Sequence, residues 1–152
     1  MRKEKGFSLI ELLIVIAIIL VIAAIAIPNL IRSRIAANEA SAVQHIRTLN
    51  TLETTFASAN PQCGYTDLAG LGAAGLADSV LANGTKSGYN YTITPTGGTP
   101  TCTSSSTPNT SHTIVANPID PSTGTRYFMS DPSGVIRFRV GALAQATDPP
   151  IS

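Results

Sequence analysis

Residues 7–27 (FSLIELLIVIAIILVIAAIAI) are 21 consecutive positions at which Ser8 and Glu11 are the only polar side chains. A helix of that length spans about 30 Å, the thickness of the hydrocarbon core of a bilayer. Such a segment has to be kept from water by lipid or by other helices, because it has no polar face to turn outward. Arg2, Lys3 and Lys5 precede it and Glu4 offsets only part of their charge. The positive-inside rule therefore leaves residues 1–6 in the cytoplasm and sends the rest of the chain across the membrane.

Three fates are open to this segment on its residues alone. It could be a cleaved secretory signal, since the basic start, the apolar middle and a small-x-small site at Ala24-Ile25-Ala26 are all present. It could be a permanent anchor, or a helix that leaves the bilayer for an assembly. Glu11 weighs against a disposable signal, because a carboxylate in the apolar stretch costs on the order of 2 to 3 kcal/mol of insertion free energy. No cation lies within reach along this helix. A cut between Gly6 and Phe7 would create one, the new α-amino group of Phe7. That amine could reach Glu11 of its own helix, or Glu11 of a second copy shifted along the assembly axis.

The run KGFSLIELLIVIAIILVIAAIAIP closely resembles the class III signal of type IV prepilins and of the related pseudopilins of type II secretion. The likeness covers about the first 30 residues. It implies cleavage after Gly6 by a prepilin peptidase, N-methylation of Phe7 by the same enzyme, and registration of subunits through Glu11. Pro28 falls where family members carry a helix-kinking proline. The resemblance further implies an inner-membrane precursor that meets an assembly platform and ends as a homopolymeric extracellular pilus serving adhesion, motility or DNA uptake. The alternative it leaves is a periplasmic pseudopilus of type II secretion.

Beyond Pro28 a kink or a short unwound stretch is expected around residues 24–28, since proline removes a backbone donor and crowds the preceding turn. Helical periodicity then resumes. Ile31, Ile35, Val43, Ile46, Leu49, Leu52 and Phe56 form an apolar stripe with a gap at Glu39, while Arg32, Arg34, Asn38, Gln44, Arg47 and Glu53 fall largely elsewhere. The helix should end near Ala59, where Asn60-Pro61 stops it. The expected organisation is a leader of residues 1–6, a long helix over 7–59 with 7–27 as membrane span and filament core, and a head over 60–152.

In the head, residues 67–71 and 78–82 suit short helical turns, and strand signals follow at 89–94 (YNYTIT), 112–116 (HTIVA), 126–130 (RYFMS) and 135–140 (VIRFRV). Asp131-Pro132-Ser133-Gly134 fits a tight turn between the last two. The fold expected is α+β: a long N-terminal helix whose second half packs on a small antiparallel sheet. Residues 94–113 hold 17 Ser, Thr, Pro or Gly among 20 positions, too little apolar surface for a core element, and read as a flexible surface loop.

Cys63 and Cys102, the only cysteines, suit one disulfide in an oxidising compartment or two buried thiols; they cannot by themselves supply a four-ligand zinc site. A bond between them would tie the hydroxyl-rich loop to the end of the long helix, with chain-entropy stabilisation of roughly 3 to 4 kcal/mol. Pilins of the type IVa kind usually enclose a segment near the C-terminus with their disulfide, and this chain has no cysteine there. No phosphate-binding loop, zinc spacing or nucleophile elbow occurs, so no enzyme, cofactor, metal or small-molecule substrate is expected. His45 and His112 read as surface residues. Asp120, Ser122, Thr123 and Asp131 resemble only faintly the calcium loop of major pseudopilins, and ordinary β-turns account for them. A formal net charge of +1 provides no global field for nucleic acid. Arg126, Arg137 and Arg139 could form a local basic patch for DNA, although a solvated sheet face accounts for them as well.

Overall fold

The computed structural model describes residues 6–99 and 107–151. Helix α1 (Leu9–Ala59) is continuous for 51 residues and ends one residue before Asn60, as the Asn-Pro stop signal predicts. Pro28 lies inside it without dividing it. The expected unwinding around residues 24–28 is absent. Proline costs one donor in a ladder whose other bonds can close around it, and the site is exposed, so the freed carbonyl can tilt outward.

The chain divides into two compact units, Met1–Arg34 and Ile35–Ser152. In the first, the side chains of the apolar run are almost all exposed. In the second, the rest of α1 is followed by α2 (Leu68–Ala73), α3 (Ser79–Ala82) and strands β1 (Thr85–Lys86), β2 (Tyr89–Thr96), β3 (Ser111–Pro118), β4 (Arg126–Ser130) and β5 (Ile136–Val140). The strands form one antiparallel sheet in the order β1-β2-β3-β4-β5. Fold class and strand positions follow the sequence pattern. The two-residue β1 was missed, being too short to alternate.

Asp67 and Asp78 cap α2 and α3, each carboxylate accepting backbone N–H bonds from the first turn. The Asp131–Gly134 turn closes as expected, with Gly134 N–H donating to the Asp131 carbonyl. The core joins Ala42, Ile46, Leu49 and Phe56 of α1 to Leu71, Leu81, Tyr89, Tyr91, Ile93, Ile114, Ala116, Phe128 and Ile136. The α1 stripe therefore lies under the sheet, but its membership differs: Ala42 joins it and Ile31 is exposed. Glu39 fills the expected gap and is buried, and Glu53, expected on the polar side, is fully buried.

The hydroxyl-rich segment is more ordered at its ends than a loop over 94–113 would be. β2 runs on to Thr96 and β3 begins at Ser111, so the hairpin extends into it. Thr99 N–H donates to the Thr107 carbonyl beyond those ends. Composition reports missing apolar surface, whereas ladder hydrogen bonds need none, which is why strand ends could enter so polar a stretch.

Candidate functional site

Gly6, Phe7 and Ser8 precede α1 and are exposed, Phe7 at 85% of its surface. Ser8 is the N-cap residue by position: its carbonyl accepts from the N–H of Glu11 (3.1 Å) and of Leu12 (3.4 Å). Glu11 returns the interaction, its Oε2 accepting the Ser8 N–H at 2.9 Å. This is the carboxylate half of a capping box, and Ser8-Leu9-Ile10-Glu11 carries the S-x-x-E signature that would have announced it. Glu11 thus has a backbone donor, while among the described residues no ion pair includes it. The junction between Gly6 and Phe7 lies outside the helix. From there to Ile22 no residue is buried, and α1 is long and apolar enough to cross a membrane.

The head is fastened to α1 by polar groups that the apolar stripe did not reveal. Glu39 Oε1 accepts from Thr125 N–H (3.0 Å), Thr125 Oγ1 (3.0 Å) and Arg126 N–H (3.2 Å), and Oε2 from Arg126 Nε at 2.6 Å. Burial works to raise the Glu39 pKa, but these donors outweigh it and hold the carboxyl below its ordinary value. The Arg126 guanidinium also lies 5.8 Å from the Phe128 ring centroid and 5.6 Å from that of Phe138. At the other end of the head, Glu53 Oε2 accepts only the Thr66 N–H (3.0 Å), and its buried Oε1 meets no donor among the described residues. Burial pushes this carboxyl up to about 7, with the Asp67 charge adding to the effect.

Neither histidine is the surface residue expected. His45 is half-buried with Nδ1 3.0 Å from the Tyr91 hydroxyl, and His112 is buried inside β3 with Nε2 3.2 Å from Asn50 Oδ1 and its ring 4.4 Å from that of Tyr65. Burial lowers both pKa values, holding the imidazoles toward the neutral form. β-branched neighbours in HTIVA, rather than any signal from the histidine itself, drew His112 into the sheet.

The three sheet arginines are not one free basic face. Arg126 pairs with Glu39, Arg139 with Asp148 at 2.6 Å, and Arg137 donates to the Asp148 carbonyl. Asp120 and Asp131 each accept from the serine two residues on, as side-chain-capped turns. Among the described residues no group of three His, Cys, Asp or Glu is placed to hold a metal. Cys63 is buried and disulfide-bonded. Its expected partner Cys102, like the rest of residues 100–106, lies outside the described residues.

A family model described as the prokaryotic N-terminal methylation motif matches residues 1–27, the stretch that holds Gly6, Phe7 and Glu11. The segment is a prokaryotic N-terminal methylation motif. The chain is 64% identical over 39 residues to the type IV wide pilus major component PilA4 of Thermus thermophilus, covering 26% of this chain. It is 40% identical over 67 residues to the type IV major pilin protein PilA of Myxococcus xanthus, covering 44% of this chain. In each case the match spans 30% of the relative's length. No solved structure matches at comparable significance. The family-model match ends at residue 27, and the head is read from its own residues.

Proposed function

We propose that this chain is the precursor of a structural, non-enzymatic subunit of a type IV pilus-like filament. A prepilin peptidase cuts between Gly6 and Phe7 and methylates the new amine, residues 7–27 hold the subunit in the inner membrane with its leader in the cytoplasm, and an assembly platform then packs the helix among sister helices. One observation supports this reading: an apolar half-helix with exposed sides bears a single carboxylate, Glu11, four residues from Phe7, within the stretch that the methylation motif matches. Buried charges require counter-charges, and the Phe7 amine of a neighbouring copy supplies one only when the two helices stand in a fixed register. Pairing of Cys63 with Cys102 belongs to the same proposal, since an exported head is oxidised.

The test is electron microscopy of filaments sheared from the cell surface, with mass spectrometry of the purified subunit. Long fibres of a subunit beginning at N-methylated Phe7 are expected, and Glu11→Leu should abolish them while leaving the subunit in the membrane. A mature chain still beginning at Met1, or starting at Ile27, would refute the proposal. The same processed subunit confined to the envelope would point to a pseudopilus.

A further inference from the structure

The head carries an apolar groove that the described residues leave open. It measures about 410 Å³ and is lined by Ile119, Pro121, Tyr127 and Val140, with Asp120 at its rim. Ile119 and Val140 are 49% and 65% exposed, so the groove presents apolar surface to solvent. On α1, Ile27, Leu30 and Ile31 are exposed at 56%, 61% and 45%, and Arg34 is exposed beside them. Spacings of three, four and seven place these four residues on one side of the helix.

Charge points the same way. The ion pairs among the described residues join Lys86 to Asp78, Arg126 to Glu39 and Arg139 to Asp148. They leave out Arg32, Arg34 and Arg47 of α1, and Asp67, Asp120 and Asp131 of the head. Glu39 and Glu53, the only acids of α1 beyond Glu11, are buried, so the water-facing charge of α1 after residue 11 is entirely positive. A basic helix and an aspartate at the groove, both outside those ion pairs and each beside exposed apolar residues, occur on one chain.

We propose that the groove on one head receives residues 27–34 of α1 from a second copy, with Arg34 of that copy pairing with Asp120. The contact rests on the filament reading above. Asn38 Nδ2 donates to the Thr123 carbonyl at 2.9 Å, and Thr123 N–H donates to the Asp120 carbonyl at 3.0 Å, which holds the Asp120 turn beside α1.

The test uses filaments assembled from mixed ¹⁴N- and ¹⁵N-labelled full-length chains carrying Arg34→Lys, treated with a carbodiimide that joins amines to adjacent carboxylates. Peptides linking the amine introduced by Arg34→Lys to the Asp120 carboxylate, with mixed isotope labels, are expected. Filaments without that link, or with links only between identically labelled peptides, would overturn the contact. Asp120→Asn keeps the acceptor for Ser122 and removes the charge; it should lower the yield of sheared filament about tenfold, and an unchanged yield would likewise overturn it. If unsubstituted chains make no filament, the underlying filament reading fails with it, whereas filaments lacking the link refute the contact alone.

Discussion

Replacing Glu53 with Gln should make the head less sensitive to pH and more stable in neutral solution. Glu53 is fully buried, keeps one hydrogen bond, from Thr66 N–H, and titrates near 7 against an ordinary value of 4.5. Because the folded carboxyl holds its proton where the unfolded one has released it, its contribution to stability is complete below pH 4.5 and is lost as the pH rises through 7. About 2.5 pH units separate the two titrations, and at 1.36 kcal/mol per unit the loss is about 3 kcal/mol. Glutamine keeps an acceptor for Thr66 and cannot ionise. Urea denaturation of both chains in detergent micelles, followed by near-UV circular dichroism of the buried tyrosines, should give near-equal stabilities at pH 4.5 and a gap in favour of Glu53→Gln that widens to about 3 kcal/mol by pH 8. The lowered pKa of buried His112 acts in the opposite sense, but His112 is present in both chains and cancels in the difference. Parallel stability profiles across the range would show that the buried carboxylate carries no such penalty.

Glu39→Ala should destabilise the head by about 3 kcal/mol, because it strands four donors of Thr125 and Arg126; since the Glu39 pKa is lowered, the deficit should be full above pH 4.5 and shrink as the pH falls below it, which the same denaturation series would register. Gly64→Ala should cost more than Gly75→Ala in thermal unfolding. Both glycines have positive φ (+66° and +69°), so both substitutions incur about 1 kcal/mol or more of backbone strain. Only at Gly64 would the new Cβ lie 2.1 Å from a backbone atom, the Asn109 carbonyl oxygen, whereas at Gly75 it meets open space. Equal melting temperatures for the two variants would refute the close approach.

Much of the architecture was legible because its causes are local. Periodicity gave the stripe Ile46, Leu49 and Phe56, Asn60-Pro61 gave the end of α1, and β-branched runs gave four of the five strands. The polar partners were not legible. Glu39 and Glu53 are charged residues in a helix with other charged residues, and nothing near them in sequence says that Thr125, Arg126 and Thr66 will meet them. His112 was assigned to the surface for its polarity, yet its strand carried it inward. The Ser8–Glu11 capping box is the exception, being legible in the S-x-x-E spacing.

The sequence by itself determined that an apolar helix with one early carboxylate stands ahead of a polar head, since hydrophobicity and helical period are properties of neighbouring residues. Which charges that head would bury, and which arginines and aspartates it would leave open to another copy, only the tertiary structure decided. Burial and ion pairing depend on groups up to 87 positions apart, as Glu39 and Arg126 are, and no local pattern encodes their meeting.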